Sequence, residues 1–243
     1  MTQHLALSIG QYSDKGRKES NQDFHGAFAP NLPLLQTKGI AIAIADGISS
    51  SDLSHIASES AVSSFLNDYF CTSEAWTVKT SGQRVITATN SWLHSQSMQT
   101  EFRYDLNKGY VCTFSAMVVK SNTAHIFHAG DTRIYKILPD QLEQLTKDHR
   151  LTLSQSQSYL ARALGIEEHI DVDYRSLPVA QGDLFLLATD GVYEFISLED
   201  VQQAVMTHPL NLEAAAAQLV KTAYDNDSHD NLTAILQIGR AHV

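Results

Sequence analysis

Three apolar runs in this sequence end on an aspartate: AIAIADG reaches Asp46, LFLLATDG reaches Asp190 and IFHAGD reaches Asp131. Such a run reads as a strand buried in a sheet, yet each delivers a carboxylate to its own end. Two more aspartates lie at strand edges, Asp23 in NQDF after the first strand and Asp230 just ahead of the last. Each has a simpler reading by itself, because Asp-Gly is a common turn pair and Asp routinely caps helices. A carboxylate carried in on a buried strand still needs pairing, since taking it bare out of water costs many kcal/mol. The chain has only 17 Lys and Arg, and none adjoins Asp46 or Asp190. A hard divalent cation with oxygen ligands, Mg²⁺ or Mn²⁺, is the natural counter-charge. The residues alone leave the turn reading and the metal reading both open.

The surrounding pattern is mixed. Strands are expected over 5–12, 39–45, 111–119, 124–129, 133–137, 183–188 and 233–238, from alternation or short apolar runs. Helices are expected over 53–70, 83–99 and 212–224, the first capped by Ser51 or Asp52. The serine and glutamine cluster at 154–158 reads as an exposed helix start or turn. Sheets flanked by helices fit this order better than an all-β sandwich. A formal charge of -10 argues against a nucleic-acid partner. The N-terminus lacks a basic segment followed by an apolar core, and no run reaches the ~18 apolar residues of a membrane helix. No membrane segment and a cytoplasmic location are therefore expected. Cys71 and Cys112 fit neither a local metal pair nor a disulfide framework.

The ordered motifs NQDFHG, IADGIS, AGDTRIY, LTKDH, LARALG, ATDGVYE and HDNLTAI span nearly the whole chain. Together they resemble the metal-dependent serine/threonine phosphatases of the PP2C (PPM) family, particularly the compact bacterial ones. The resemblance implies an α+β fold, a four-layer α-β-β-α sandwich with two central antiparallel β-sheets flanked by helices, forming one domain over 1–243. It implies that Asp46, Asp190 and Asp230 serve a centre of two Mn²⁺ or Mg²⁺ ions, with the Gly47 carbonyl as a further ligand. Asp23 matches the aspartate that holds metal-bound water, and Asp131 the residue that helps hold a third, looser ion. Gln22 stands where a carboxylate is frequent, and Asn231 matches the partner that orients Asp230. His149 is a fold-level match only. The implied chemistry is in-line attack of activated water on phosphorus, in keeping with the absence of GxSxG and HExxH. The implied substrates are phosphoserine and phosphothreonine on proteins, opposing a serine/threonine kinase. The alternatives are a domain acting on small phosphoesters, or one that binds phosphoprotein without turnover.

Three departures from the family pattern bear on the site. Lys18, with Arg17 beside it, stands where an arginine usually grips the substrate phosphate; an ammonium lacks the two-pronged donor set. Ile48 replaces a histidine that many members carry after the first Asp-Gly, and it cannot transfer a proton. Only ten residues separate His149 from Leu160, too few for the usual flap. A more open cleft and broad activity on small phosphoesters are expected from that. Thr113 and Ser115 read as ordinary sheet hydroxyls.

Overall fold

The computed structural model describes residues 6–154 and 157–240. Its organisation follows from side-chain size along β3 (Ile40–Ala45), where every residue is buried. Ile42 and Ile44 point into a cluster with Met117, Ile126, Phe185 and Ile235, between two sheets. Ala41, Ala43 and Ala45 face the other way, onto Ala57, Ala61 and Phe65 of α2 (Ser54–Cys71). Branched side chains fill the space between sheets, and alanines let a helix approach the outer face. The same sorting recurs in β11 (Leu184–Ala188), where Phe185 and Leu187 face the second sheet. Leu186 and Ala188 lie under α6 (Leu212–Asp225), with Ala216 and Leu219.

One sheet runs in the order β1 (Ala6–Asp14), β12 (Leu232–Arg240), β11, β6 (Arg133–Ile137), β7 (Leu142–Gln144). The other runs β10 (Asp173–Pro178), β5 (Thr123–Ala129), β4 (Phe114–Lys120), β3, β2 (Phe24–Phe28). All their pairings are antiparallel. A short α1 (Leu34–Lys38) joins β2 to β3. Helices α2 and α3 (Val78–Met98) cover the second sheet. The short α4 (Asp190–Tyr193), α5 (Leu198–Thr207) and α6 cover the first. This is the expected four-layer α-β-β-α sandwich.

Every expected strand is present, apart from residue 5, which lies outside the described residues. The 111–119 strand starts late, at Phe114, because Cys112 instead bridges Gly47 and Leu164. Strands β2, β7 and β10 escape sequence reading because they include the outer strands of the sheets, where no position is fully buried. Helix α3 begins at Val78, five residues before the expected start, since Thr77 Oγ1 accepts from Thr80 N (3.1 Å) and caps it. Neither Ser51 nor Asp52 is the N-cap of α2; that position is Leu53. Ser51 Oγ accepts from Leu53 N (3.0 Å) and donates to Gly109 O (2.7 Å), fastening the approach to the helix. The helix start expected near 154 is also corrected. Ser154 ends β8 (Arg150–Ser154) and Gln157 opens β9 (Gln157–Leu160), an antiparallel ribbon; 155 and 156 lie outside the described residues. Among the described residues, no helix is long and apolar enough to cross a membrane.

Candidate metal centre

Antiparallel pairing sets the end of one strand beside the start of its neighbour. Ala45 of β3 therefore pairs with Phe24 of β2, and Ala188 of β11 with Ala234 of β12. Asp46 and Asp23 are thus delivered from one such pair, Asp190 and Asp230 from the other. The turn after β5 adds Asp131. Asp46, Gly47, Asp131, Asp190 and Asp230 line a single cavity of about 110 Å³, with Thr113 and Leu160 also in its wall.

Each carboxylate is positioned by its own local device. Thr113 N donates to Asp46 O (2.8 Å) and Asp46 N to Thr113 Oγ1 (3.0 Å). Gly47 N donates to Gln22 O (3.1 Å), and a Cβ at 47 would lie 2.8 Å from both Gln22 O and Ser54 Cβ, so the turn accepts only glycine. Asn231 Nδ2 donates to Lys15 O and Ser20 O (both 2.9 Å), while its Oδ1 accepts from Gln22 N (2.9 Å). One amide thereby ties the loop carrying Asp23 to the turn carrying Asp230. Asp23 is buried, and its Oδ2 accepts from Thr189 Oγ1 (2.9 Å) and Thr233 Oγ1 (2.7 Å). Among the described residues its Oδ1 has no hydrogen-bond partner.

The electrostatics reflect this crowding. Burial, then the charges of Asp23, Asp190, Asp131 and Asp230, hold the Asp46 carboxyl well above the usual carboxylate range. Burial pushes Asp23 up to about 7 against its two hydroxyl donors. Asp190 rises to about 6 by burial and by Asp131 and Asp230, with Arg150 opposing. A family model described as protein phosphatase 2C matches residues 11–237.

The chain belongs to the protein phosphatase 2C family. It is 27% identical over 252 residues to the serine/threonine phosphatase stp of Listeria welshimeri, with 92% of each chain covered. Serine/threonine phosphatase Stp1 from Staphylococcus aureus has the same fold, with TM-score 0.82 at 20% identity over 98% of this chain and 97% of that one. So does the catalytic domain of PstP in complex with 2 manganese ions, with TM-score 0.75 at 22% identity over 97% and 99%. Metal dependence goes with the family.

The donor set of this phosphatase 2C chain suits such an ion. It is all hard oxygen, and behind it, against Asp46, lies the buried Asp23 oxygen that no donor among the described residues satisfies. Yet among the described residues no three acidic, histidine or cysteine side chains converge as a ready ligand set. The carboxylates share a cavity, and two cations engage them. Lys18 Nζ lies 3.2 Å from Asp230 Oδ1, and Arg150 bridges Asp131 and Asp190.

Two residues expected at the phosphate site part company. Lys18 is at the cavity mouth, donating to Ser49 Oγ (3.2 Å). Arg17 stacks on the Tyr224 ring, 4.6 Å from its centroid, and donates to Ser228 O (2.8 Å), so the structure does not bring it to the carboxylates. The Gln22 side chain turns towards α2, donating to Ser51 O (2.7 Å) and Ser54 Oγ (2.6 Å). Sequence reading missed Arg150 and Glu194 beside the acids, and Thr189 and Thr233 behind them; Thr113, a candidate read more readily as a sheet hydroxyl, lies behind Asp46. Arg150 follows LTKDH directly and Glu194 closes ATDGVYE, but nothing local says which way either side chain points.

The raised Asp23 makes stability depend on pH. Above pH 7 the folded chain holds this carboxylate ionised without water, whereas between pH 7 and 4 it binds a proton that the unfolded chain does not. Lowering the pH from 8.5 towards 6.5 in chelator should therefore raise Tm, on the order of 5 °C. Below 6.5 two effects oppose each other: burial holds His128 down to about 4 and lowers His25 and His125, so unfolded histidines take up protons first, while the raised Asp46 and Asp190 take up protons in the folded chain. The expected profile rises from pH 8.5 to 6.5 and flattens below, and Mn²⁺ flattens its alkaline side. Calorimetry across this range checks it; a Tm that climbs steadily from 6.5 to 8.5 in chelator contradicts it.

Proposed function

We propose that this chain is a single catalytic domain that hydrolyses phosphoserine and phosphothreonine on proteins with two Mn²⁺ or Mg²⁺ ions. Asp46, the Gly47 carbonyl, Asp190 and Asp230 would hold the ions, with Asp131 beside them. Bound there, the pair supplies Lewis acidity and an activated water. The observation that carries this reading is Asp23, a buried carboxylate fixed by Thr189 and Thr233 with one oxygen left unpartnered among further acids. Its free oxygen, fixed in place by the two hydroxyls, suits it to accept a hydrogen bond from water at the centre. Asn231 keeps Asp23 and Asp230 in register. Lys18 offers the phosphate a positive charge at the mouth, and its partner Ser49 keeps it there.

Covalent catalysis finds no support in Cys112, whose buried thiol is pushed up by burial and by Asp46 and so is not a thiolate. The Listeria relative is named a serine/threonine phosphatase and the PstP structure carries manganese; both agree with the reading. The phosphorylated protein would come from a serine/threonine kinase, in the cytoplasm.

The test is release of phosphate from a phosphothreonine peptide and from an aryl phosphate, with Mn²⁺ and with excess chelator. Turnover of both with Mn²⁺ and neither in chelator is expected. Aryl phosphate turnover alone favours a small-phosphoester enzyme, and peptide binding without turnover defeats the catalytic reading. In the same assay Lys18→Ala should raise KM about tenfold or more, the worth of a charge-assisted hydrogen bond. Its Mn²⁺ affinity should not weaken, since Asp230 loses a competing cation.

A further inference from the structure

The acids of the centre are neutralised unevenly. Among the described residues, Asp46 has no Lys or Arg partner, and Asp230 has Lys18 at the mouth. At the Asp131 corner a single side chain pairs with three acids. Arg150 Nε lies 2.5 Å from Asp131 Oδ2, Nη2 2.7 Å from Asp190 Oδ2 and Nη1 3.2 Å from Glu194 Oε1. Only a planar guanidinium presents donors in a fork able to meet three carboxylates at once. Hydrogen bonds to Asp131 Oδ1 or Asp190 Oδ1 are not found among the described residues, so each acid keeps an oxygen facing elsewhere.

The position of this arginine is built into the base of the β8–β9 ribbon. His149 N donates to Gly130 O (2.7 Å), Gly130 N donates to His149 Nδ1 (3.0 Å) and Ala161 N donates to His149 O (2.6 Å). Gly130 immediately precedes Asp131. The residue before Arg150 is thus fastened to the turn that presents Asp131, and the residue after β9 is fastened to His149. From the other side Tyr193 Oη donates to Asp131 O (3.0 Å), next to Glu194. The short ribbon therefore does not simply open the cleft; it delivers a cation into one corner.

We propose that Arg150 is a resident cation of this centre, which occupies the Asp131–Asp190–Glu194 corner and excludes a third divalent ion from it. The proposal rests on the two-ion reading above. A divalent ion approaching Asp131 meets a fixed positive charge within hydrogen-bond distance of the same oxygen, and must displace it from three acids together. The chain would therefore work as a two-ion enzyme although Asp131 is present. Arg150 acts on metal loading and is not itself a catalytic residue.

The experiment counts bound Mn²⁺ by electron paramagnetic resonance in the wild type, Arg150→Ala, Arg150→Lys and the double variant Arg150→Ala/Asp131→Asn. Arg150→Ala should bind one additional Mn²⁺ per chain at concentrations where the wild type does not. Its affinity at that site should exceed the wild type's by about 10–100-fold, the range of a charge-assisted hydrogen bond. Adding Asp131→Asn should remove the extra ion. Arg150→Lys, which keeps the charge but cannot span three acids, should fall between wild type and Arg150→Ala, and serves if the alanine variant fails to fold. Equal stoichiometry and affinity in the wild type and both single variants would overturn the proposal and leave the two-ion reading standing. An extra ion that survives Asp131→Asn also overturns it, and no Mn²⁺ bound by any protein defeats both.

Discussion

Asp46→Asn should lower kcat/KM on a phosphothreonine peptide by about a thousandfold at saturating Mn²⁺, while raising Tm in chelator. The first effect follows if Asp46 is a charged ligand, as proposed, of a centre that must stabilise charge on the phosphoryl oxygens; ~4 kcal/mol of lost transition-state stabilisation corresponds to that factor. The second follows from the site's own repulsion. Asp46 is held above the usual carboxylate range by burial and by four other acids, and it has no Lys or Arg partner among the described residues. An amide of the same shape removes that penalty and keeps the backbone bonds to Thr113. Gain of stability with loss of activity is the mark of a residue kept for chemistry. Steady-state kinetics and a thermal melt on one preparation suffice. Activity within tenfold of wild type would remove Asp46 from the centre.

Gly191→Ala is expected to cost both stability and activity, through a contact no charge argument would find. A Cβ at 191 would lie 2.0 Å from Asn231 O and 3.2 Å from Asp230 Cβ. The clash is with backbone, which cannot rotate aside, so the start of α4 and the turn before β12 must separate. Overpacking of this kind costs about 1–3 kcal/mol, or roughly 2–10 °C in Tm for a chain of this length. Asp190 and Asp230 sit on the two segments pushed apart, so Mn²⁺ affinity should fall at least tenfold, more than a generally loosened fold would require. Titrating Mn²⁺ against turnover well below Tm separates the two effects. An unchanged melt and an unchanged Mn²⁺ dependence would show that these turns are not held together as closely as described.

Much of this centre was legible before folding was considered. The IAIAIA and LFLLA runs specify both the buried strands and the acids at their ends, because alternation and apolarity act locally along the chain. Asp46, Asp131, Asp190 and Asp230 could be picked out on that basis, and all four line the one cavity. Outer strands such as β2 and β10 were not legible, since half-burial leaves them no clean pattern. Arg17 and Lys18 are adjacent and chemically similar, and only the spacing of the family motif favoured Lys18 over its neighbour. In the fold one stacks on Tyr224 while the other reaches Asp230.

The counter-charge is where sequence and tertiary structure divide. Composition and strand pattern determined that acids would gather at strand ends and would need positive charge. That no cation adjoins Asp190 along the chain is true and insufficient, for Arg150 comes within 2.7 Å of it from forty residues away. Coulomb attraction depends on distance through space, so only the clamp between His149 and Gly130 decided which acid met which cation.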